Sequence, residues 1–387
     1  MIKYIGVNDH DIDLFEGQFE VPNGMAYNSY VILADKIAVM DSVEANFGEQ
    51  WLSNLDAELS QAGGRKPDYL VVQHMEMDHS SNINLFVQKY PDAKIVASKM
   101  AFTIMKNLFG TDFPERQIIV TEGSTLELGA AAGDYTLKFL TAPNVHWPEV
   151  IMTYSEKDKT LFSADAFGKF GALDYDDPEG WACEARRYYF GIVGKFGAQV
   201  QAVLKKVAAL DIAKICALHG PVLDDNINYY IDTYNTWSSY GVESEGVAIF
   251  FTSVYGHTKT AVEKLAQMLI DKGCPKVVVN DLAREDIYEC VEDAFRYGKI
   301  VLATTTYNGG VFPKMKEFIE HLAERNYQNR KIAFIENGSW MPAAAKGMST
   351  LLEGFKDITY AESKVTIKTS VTEETETALL QLADELK

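Results

Sequence analysis

The chain is short of thiol pairs, long apolar runs and positive charge. Its four cysteines, Cys183, Cys216, Cys274 and Cys290, form no CxxC pair. That excludes a four-thiolate zinc or iron site and fits small buried hydrophobes in a reducing compartment. No apolar run is long enough to span a bilayer. The start, Met1-Ile2-Lys3-Tyr4-Ile5-Gly6, has neither the apolar core nor the cleavage pattern of a signal peptide. The expected location is therefore the cytoplasm. Lys and Arg number 36 against 55 Asp and Glu, for a formal net charge of -19. This disfavours nucleic acid and anionic membranes as partners, since both need a cationic face. Glycine-rich dinucleotide and triphosphate loops, GxGxxG and the Walker pattern, are missing too.

What is present is ordinary soluble composition, 47% apolar and 24% charged over 387 residues. That length exceeds one ordinary core, so two domains are expected. Histidine is scarce, with seven residues, and its placement is informative. His74-Met75-Glu76-Met77-Asp78-His79 follows the apolar run Asp68-Tyr69-Leu70-Val71-Val72, which reads as a buried strand. In an extended segment His74, Glu76 and Asp78 point to one side, and His79 joins them only if the chain turns there. Three further candidates end strand-like runs. His146 follows Leu137–Thr141 through Ala142-Pro143-Asn144, Asp165 follows Thr160–Ser163, and His219 follows Ala213–Leu218. A lone histidine at a strand exit is commonly structural, but polar residues at several strand exits converge on one rim of a sheet. Seven ligands suit two metal ions with a bridging carboxylate. Imidazole with carboxylate and no thiolate suits zinc, iron or manganese.

Around these ligands, strands and helices mix. The runs 29–34 and 37–40 flank the Asp35-Lys36 turn as a hairpin, and helical stretches are expected at 50–61, 83–90 and 100–109. The arrangement suggests a sandwich of sheets with helices outside. A helix is expected over 224–237, then a polar linker, Glu243-Ser244-Glu245-Gly246. The boundary is placed there, giving domains 1–245 and 246–387.

From Val247 the texture becomes regular strand–helix alternation, which implies a parallel sheet covered on both faces. The first strand-to-helix loop, Ser253-Val254-Tyr255-Gly256-His257-Thr258, is rich in hydroxyls and could hold one phosphate at a helix N-terminus. Two more loops lie at strand carboxyl ends: Thr304-Thr305-Thr306-Tyr307-Asn308-Gly309-Gly310, and Glu336-Asn337-Gly338-Ser339-Trp340. Ligands of doubly wound sheets bind at that edge. Tyr307 and Trp340 offer flat faces for a ring. His257 reads as a loop-tip residue and a candidate phosphate donor. His10 and His321 read as structural or solvent-exposed.

The pattern HxExDH with separated His, Asp and His resembles the metallo-β-lactamase fold as it occurs in flavodiiron proteins. The loops SxYGxT and TTTYNGG resemble their flavodoxin-like, FMN-binding half. The resemblance covers essentially the whole chain. It implies α/β architecture: an N-terminal metallo-β-lactamase-like αββα sandwich and a C-terminal flavodoxin-like doubly wound parallel sheet. It implies two non-heme irons, with His74, Glu76 and His146 on one, Asp78, His79 and His219 on the other, and Asp165 bridging. Hydrolytic relatives usually carry HxHxDH, so Glu76 replaces a histidine with a hard oxygen ligand and favours iron. FMN would be held by Ser253, Val254, Tyr255, Gly256, His257 and Thr258, by Thr304 to Gly310, and by Asn337, Gly338, Ser339 and Trp340.

The implied activity is reduction of dioxygen to water, of nitric oxide to nitrous oxide, or both. The alternative is a dizinc hydrolase with a flavodoxin passenger. The resemblance further implies a head-to-tail homodimer or a dimer of dimers. The chain shows neither a rubredoxin segment nor a nicotinamide-binding domain, so an external donor is expected: a rubredoxin, or a reduced deazaflavin as the alternative. Tyr188 and Trp147 are candidates for lining the metal pocket. The family often has a histidine in the N-terminal strand region, whereas Asn23-Gly24-Met25-Ala26-Tyr27 contains none.

Overall fold

A computed structural model describes residues 1–131, 133–175 and 177–387. The chain divides into two compact units between Asn235 and Thr236.

In the first unit, two sheets bury their inner faces against each other. One has six strands in the order Ile2–Tyr4, Tyr30–Leu33, Ile37–Met40, Tyr69–Val71, Lys94–Ala97, Gln117–Ile119. The last four run parallel. The other orders Thr125–Glu127, Thr136–Thr141, Ile151–Ser155, Thr160–Phe162 and Lys214–Cys216. Ile32, Met40, Val71 and Val96 from the first sheet share a core with Leu137, Phe139, Ile151 and Phe162 from the second. The helix Gly48–Gln61 shows why such segments fold as they do. Trp51, Leu52, Leu55 and Leu59 recur at helical spacing and are buried, and Trp51 Nε1 donates to Ser29 Oγ at 2.9 Å. Lys99–Phe109 starts on Ser98, whose hydroxyl caps Ala101 N, and stops at Gly110 in the left-handed region (φ +74°).

The second unit is a parallel sheet in the order Val277–Asp281, Ser244–Phe251, Tyr297–Tyr307, Arg330–Asn337. Both Ile358–Tyr360 and Val365–Ile367 pair with the last of these. Val247, Ile249 and Phe251 pack on one face against the helices His257–Asp271 and Glu373–Leu386. On the other face Phe250 meets Phe318 of the helix Pro313–Glu324 at 4.6 Å between ring centroids. Near-continuous apolar strands are what a sheet covered on both sides requires.

The division falls ten residues before the boundary expected at 245. The cause is local. Trp237 Nε1 donates to Glu243 (2.6 Å), Glu243 N donates to the Arg296 carbonyl (3.1 Å), and buried Arg330 donates to the carbonyls of Tyr240 (2.8 Å) and Gly241 (2.9 Å). The segment read as a polar linker is thus tied into the second unit, and Ser244 opens its strand Ser244–Phe251. Among the described residues no helix is long and apolar enough to cross a membrane.

Candidate metal centre and flavin cleft

The seven expected ligands lie at strand exits on one rim of the first unit, in two groups. His74, Glu76, His146 and Asp165 form one; Asp78, His79 and His219 form the other. The separation begins with a turn. His74 and Glu76 lie in extended chain after Tyr69–Val71, but Met77–Ser80 is a single helical turn. Asp78 therefore does not continue the period-two pattern expected of it; it turns away with His79. Asp165 joins the groups. Its Oδ2 lies 3.1 Å from His74 Nε2 and 3.3 Å from His146 Nε2, while Oδ1 lies 3.5 Å from His79 Nε2 and 3.7 Å from His219 Nε2. Glu76 Oε2 is 3.0 Å from His146 Nε2, and Asp78 Oδ2 is 3.1 Å from His79 Nε2.

These spacings test whether metal ions fit. Atoms about 2.1 Å from a metal sit roughly 3.0–3.4 Å apart at the corners of an octahedron or tetrahedron. Both carboxylate oxygens of Asp78 and of Asp165 are buried and make no well-directed hydrogen bond. Such burial is costly for oxygens with no partner, and lone pairs aimed at a common centre account for it. His79 Nε2 and His219 Nε2 lie 3.1 Å apart, as two ligands of one ion would. The residues fit a two-metal group.

Outer contacts fix the ligands. His74 Nδ1 donates to Glu149 Oε1 (2.8 Å), which also accepts Met75 N (2.8 Å), and His219 Nδ1 donates to the Ala26 carbonyl (2.7 Å). Both bonds leave Nε2 free to ligate. Asp41 Oδ1 accepts from Gln73 N at 2.7 Å and holds the loop entering His74. Burial pushes the Asp41 carboxyl up to about 6. Left-handed backbone at Ala164 (φ +51°) and Phe167 (φ +68°) flanks Asp165, a local strain of the kind that gathers at functional sites.

The electrostatics ask for positive charge. Burial works against ionisation of Asp165, yet the charge of His74 and contacts with three imidazoles hold its carboxyl well below the ordinary range. Glu76 is pulled down to about 2 against burial, by His146 and His74. The imidazoles respond in kind. Burial lowers them, but Asp78 and Asp165 carry His79 up to about 10, and Asp165 and Glu76 carry His146 up to about 9. A cation trap of three carboxylates is what divalent metals need.

Trp147 lies edge-on to His74 at 5.4 Å between ring centroids, and buried Tyr188 lies 5.5 Å from the His219 ring. Both expected pocket residues thus pack on ligand histidines. Sequence reasoning missed three contributors: Glu149, the Ala26 carbonyl and Glu16. Glu16 tops the hairpin Leu14–Phe15/Phe19–Glu20, whose Phe15 ring is 5.4 Å from His219. The residue as a whole is exposed, yet its carboxyl is crowded by protein and faces Glu76, and it is pushed up to about 7. Nothing in the sequence of this turn, Leu14-Phe15-Glu16-Gly17, points to the rim.

In the second unit a cleft of about 410 Å³ opens at the strand carboxyl ends. Ser253, Val254, Tyr255, His257, Thr258, Thr305, Thr306, Tyr307, Asn308, Gly309, Asn337, Gly338, Ser339 and Trp340 line it, together with Met341 and Thr369, which the sequence reading did not include. Thr304, Gly256 and Gly310 do not reach the lining. Thr304 is buried, its hydroxyl 2.6 Å from that of Thr252, and Gly310 pairs with Tyr307 in a tight hairpin. Gly256 turns the loop into the helix with φ +90°, while Ser253 Oγ accepts from Gly256 N (3.1 Å). Hydroxyls at a helix N-terminus suit a phosphate. Tyr255 and Trp340 stand 90% and 91% exposed at the rim. Aromatic faces so open to water, beside a cleft of ligand size, fit a planar ring.

Fold and sites together define a metal-binding β-lactamase-type sandwich joined to a flavodoxin-like domain. The chain belongs to the ODP family beta lactamase, whose pattern matches residues 25–220, just over half of it; a flavodoxin domain matches residues 248–356 and indicates FMN. This pairing is that of the flavodiiron proteins. The chain is 32% identical to diflavin flavoprotein A 2 of Synechocystis sp. over 73% of its own length and 48% of that protein. It is 29% identical to the anaerobic nitric oxide reductase flavorubredoxin of Aliivibrio fischeri, over 88% of its length and 68% of the relative's. The structure of the flavodiiron protein from Giardia intestinalis superposes with a TM-score of 0.90 at 27% identity, covering 100% of this chain and 95% of that one. The chain spans about half the length of the Synechocystis relative.

Proposed function

We propose that this chain is an oxidoreductase that reduces dioxygen to water, nitric oxide to nitrous oxide, or both, at two irons fed through FMN. One observation carries the reading: two groups of ligand-type side chains, with Asp165 reaching both and Glu76 among them, occur in a chain that also has a flavin-sized cleft. When bound, two ferrous ions and reduced FMN supply four electrons, the number that takes dioxygen to two waters, and two suffice to couple two nitric oxide molecules.

The chain's own residues do the rest. Glu149 and the Ala26 carbonyl hold His74 and His219 in the ligating tautomer. Glu76, the most exposed ligand with a side chain 19% open, marks the mouth through which a small gas enters. Trp147, Phe15 and Tyr188 exclude bulk water around the ligand histidines. Burial and the nearby carboxylates keep the Tyr188 phenol protonated, so it retains a hydroxyl proton to donate. Glu76 and the flavin cleft favour this reading over a dizinc hydrolase.

The same reading assigns a head-to-tail dimer, in which the cleft of one copy faces the metal rim of another. Each unit supplies an apolar face for it: Tyr255, Trp340 and Met341 beside the cleft, Leu14 and Met77 beside the metals, all exposed. The electron donor is external, of rubredoxin type, with reduced deazaflavin the alternative, and the setting is the cytoplasm. The test is anaerobic. Fully reduced protein is mixed with each gas, and its consumption is followed along with peroxide release. Fast loss of either gas without peroxide is expected. Protein holding iron and FMN that consumes neither would overturn the proposal. A strictly monomeric yet fully active protein, by light scattering, would overturn the dimer.

A further inference from the structure

The strained loop that carries Asp165 is held from outside by two redox-capable side chains. Tyr234 Oη accepts from Phe167 N at 2.6 Å, and Trp181 Nε1 donates to the Phe167 carbonyl at 3.1 Å. Phe167 is two residues beyond the bridging aspartate. From this pair aromatic contacts lead outward, with Trp181 meeting both Tyr230 and, at 6.2 Å, Tyr229. Tyr234 and Trp181 have ring centroids 6.3 Å apart, Trp181 and Tyr230 4.9 Å, and Tyr230 and Tyr229 5.3 Å. Tyr234 is fully buried, Tyr230 is 9% exposed and Tyr229 is 44% exposed. Trp181 is partly exposed, so the series leads from the metal loop to water at Trp181 and at Tyr229. Near its end, Tyr230 Oη donates to Asp225 Oδ1 at 2.8 Å, so a proton acceptor stands where a phenol would lose a proton on oxidation.

Packing alone does not call for this composition. Phenylalanine fills a core equally well, whereas buried Tyr and Trp must find polar partners. Here those partners are the backbone beside a metal ligand at one end and a carboxylate at the other.

We infer that Tyr234, Trp181, Tyr230 and Tyr229 form an electron path from the protein surface to the metal centre, used when flavin electrons run out. The inference rests on the oxygen-reducing reading above. Dioxygen needs four electrons, and a centre that meets it with oxidised flavin is two short. Each tyrosine supplies one electron and one proton. Tyr230 passes its electron inward through Trp181 and Tyr234 and its proton to Asp225, becoming a neutral phenoxyl radical. Tyr229 supplies the second electron and releases its proton to water. These two electrons, with two protons drawn from solvent at the centre, reduce one hydrogen peroxide, the oxidant left by incomplete reduction, to two waters.

The test uses the full chain loaded with iron and FMN, with metal content measured, oxidised and without donor. Hydrogen peroxide is added, samples are freeze-quenched for electron paramagnetic resonance, and peptides are mapped by mass spectrometry. The expected result is a tyrosyl radical that narrows on ring-deuterated tyrosine labelling, with oxidation marks on Tyr229, Tyr230 or Trp181. The double variant Tyr229→Phe/Tyr230→Phe, which leaves both bonds to Phe167 in place, should lose the tyrosyl radical while gas consumption with full reductant is unchanged. Iron-loaded protein that consumes gas but forms no radical and no marks overturns the path and leaves the function standing. A tyrosyl radical unchanged in Tyr229→Phe/Tyr230→Phe also overturns it. A radical in protein that consumes neither gas supports the path and removes the functional reading.

Discussion

The two units solve opposite problems with their side chains. The metal rim is largely dry: His74, His79, Asp165 and His219 are at most 1% exposed, and the outer nitrogens of His74 and His219 are held by Glu149 and the Ala26 carbonyl. The flavin cleft is open, with Tyr255 and Trp340 nine-tenths in water. The difference teaches what each site must control. Ligand atoms have to be held to tenths of an ångström against the repulsion of three carboxylates, which only a desolvated, cross-braced pocket can do. A flavin needs a face and a phosphate seat, and only electrons leave it, so tolerance is greater and exposure is cheap.

The comparison can be broken most severely at the bridge. Asp165→Asn removes the negative charge shared by both groups, and loss of both metals and of gas consumption is expected, with FMN content unchanged by absorbance. Next comes Glu149→Gln, which weakens the orientation of His74 without touching a ligand. Metal affinity should fall about 10–100-fold in a competition titration, while a loss of FMN instead would contradict the separation of the sites. Trp340→Ala should weaken FMN by about 1–2 kcal/mol, roughly tenfold in Kd, and leave metal content intact.

The smallest effect concerns pH and chelated protein. His79 and His146 are raised to about 10 and about 9 by Asp78, Asp165 and Glu76 against burial. A raised folded value stabilises fully below the unfolded value, near 6.5, and that contribution fades as pH rises through 9 and 10. The Tm of metal-free protein should therefore fall over that range. In metal-loaded protein the trend reverses on the acid side, because protons compete with metal for the same imidazoles. A metal-free Tm that climbs toward pH 10 would show that the histidines are not drawn toward the cationic form.

Much of the metal site was legible because ligand chemistry is written in residue type. His74, Glu76, Asp78, His79, His146, Asp165 and His219 stood out at strand exits before any fold was known. Their grouping is the one the resemblance implied; what extended-chain periodicity missed is the helical turn Met77–Ser80, which sends Asp78 to the side of His79. The loops of the cleft were legible for the same reason, though Thr304 and Gly310 turn away from it and Met341 and Thr369 enter.

What the sequence determined by itself was local: apolar runs that must be buried, periods of two and of three to four residues, and clusters of ligand-type residues. Tertiary structure alone decided which distant groups meet. Glu149 reaches His74 across 75 residues, and the Ala26 carbonyl reaches His219 across 193. Neither acceptor has a local signature, since any carboxylate or carbonyl can accept a hydrogen bond and only the folded path of the chain chooses one. The unit boundary was decided in the same way. A polar Glu-Ser-Glu-Gly segment looks like a linker until Arg330 donates to the backbone ahead of it, at Tyr240 across 90 residues and Gly241 across 89.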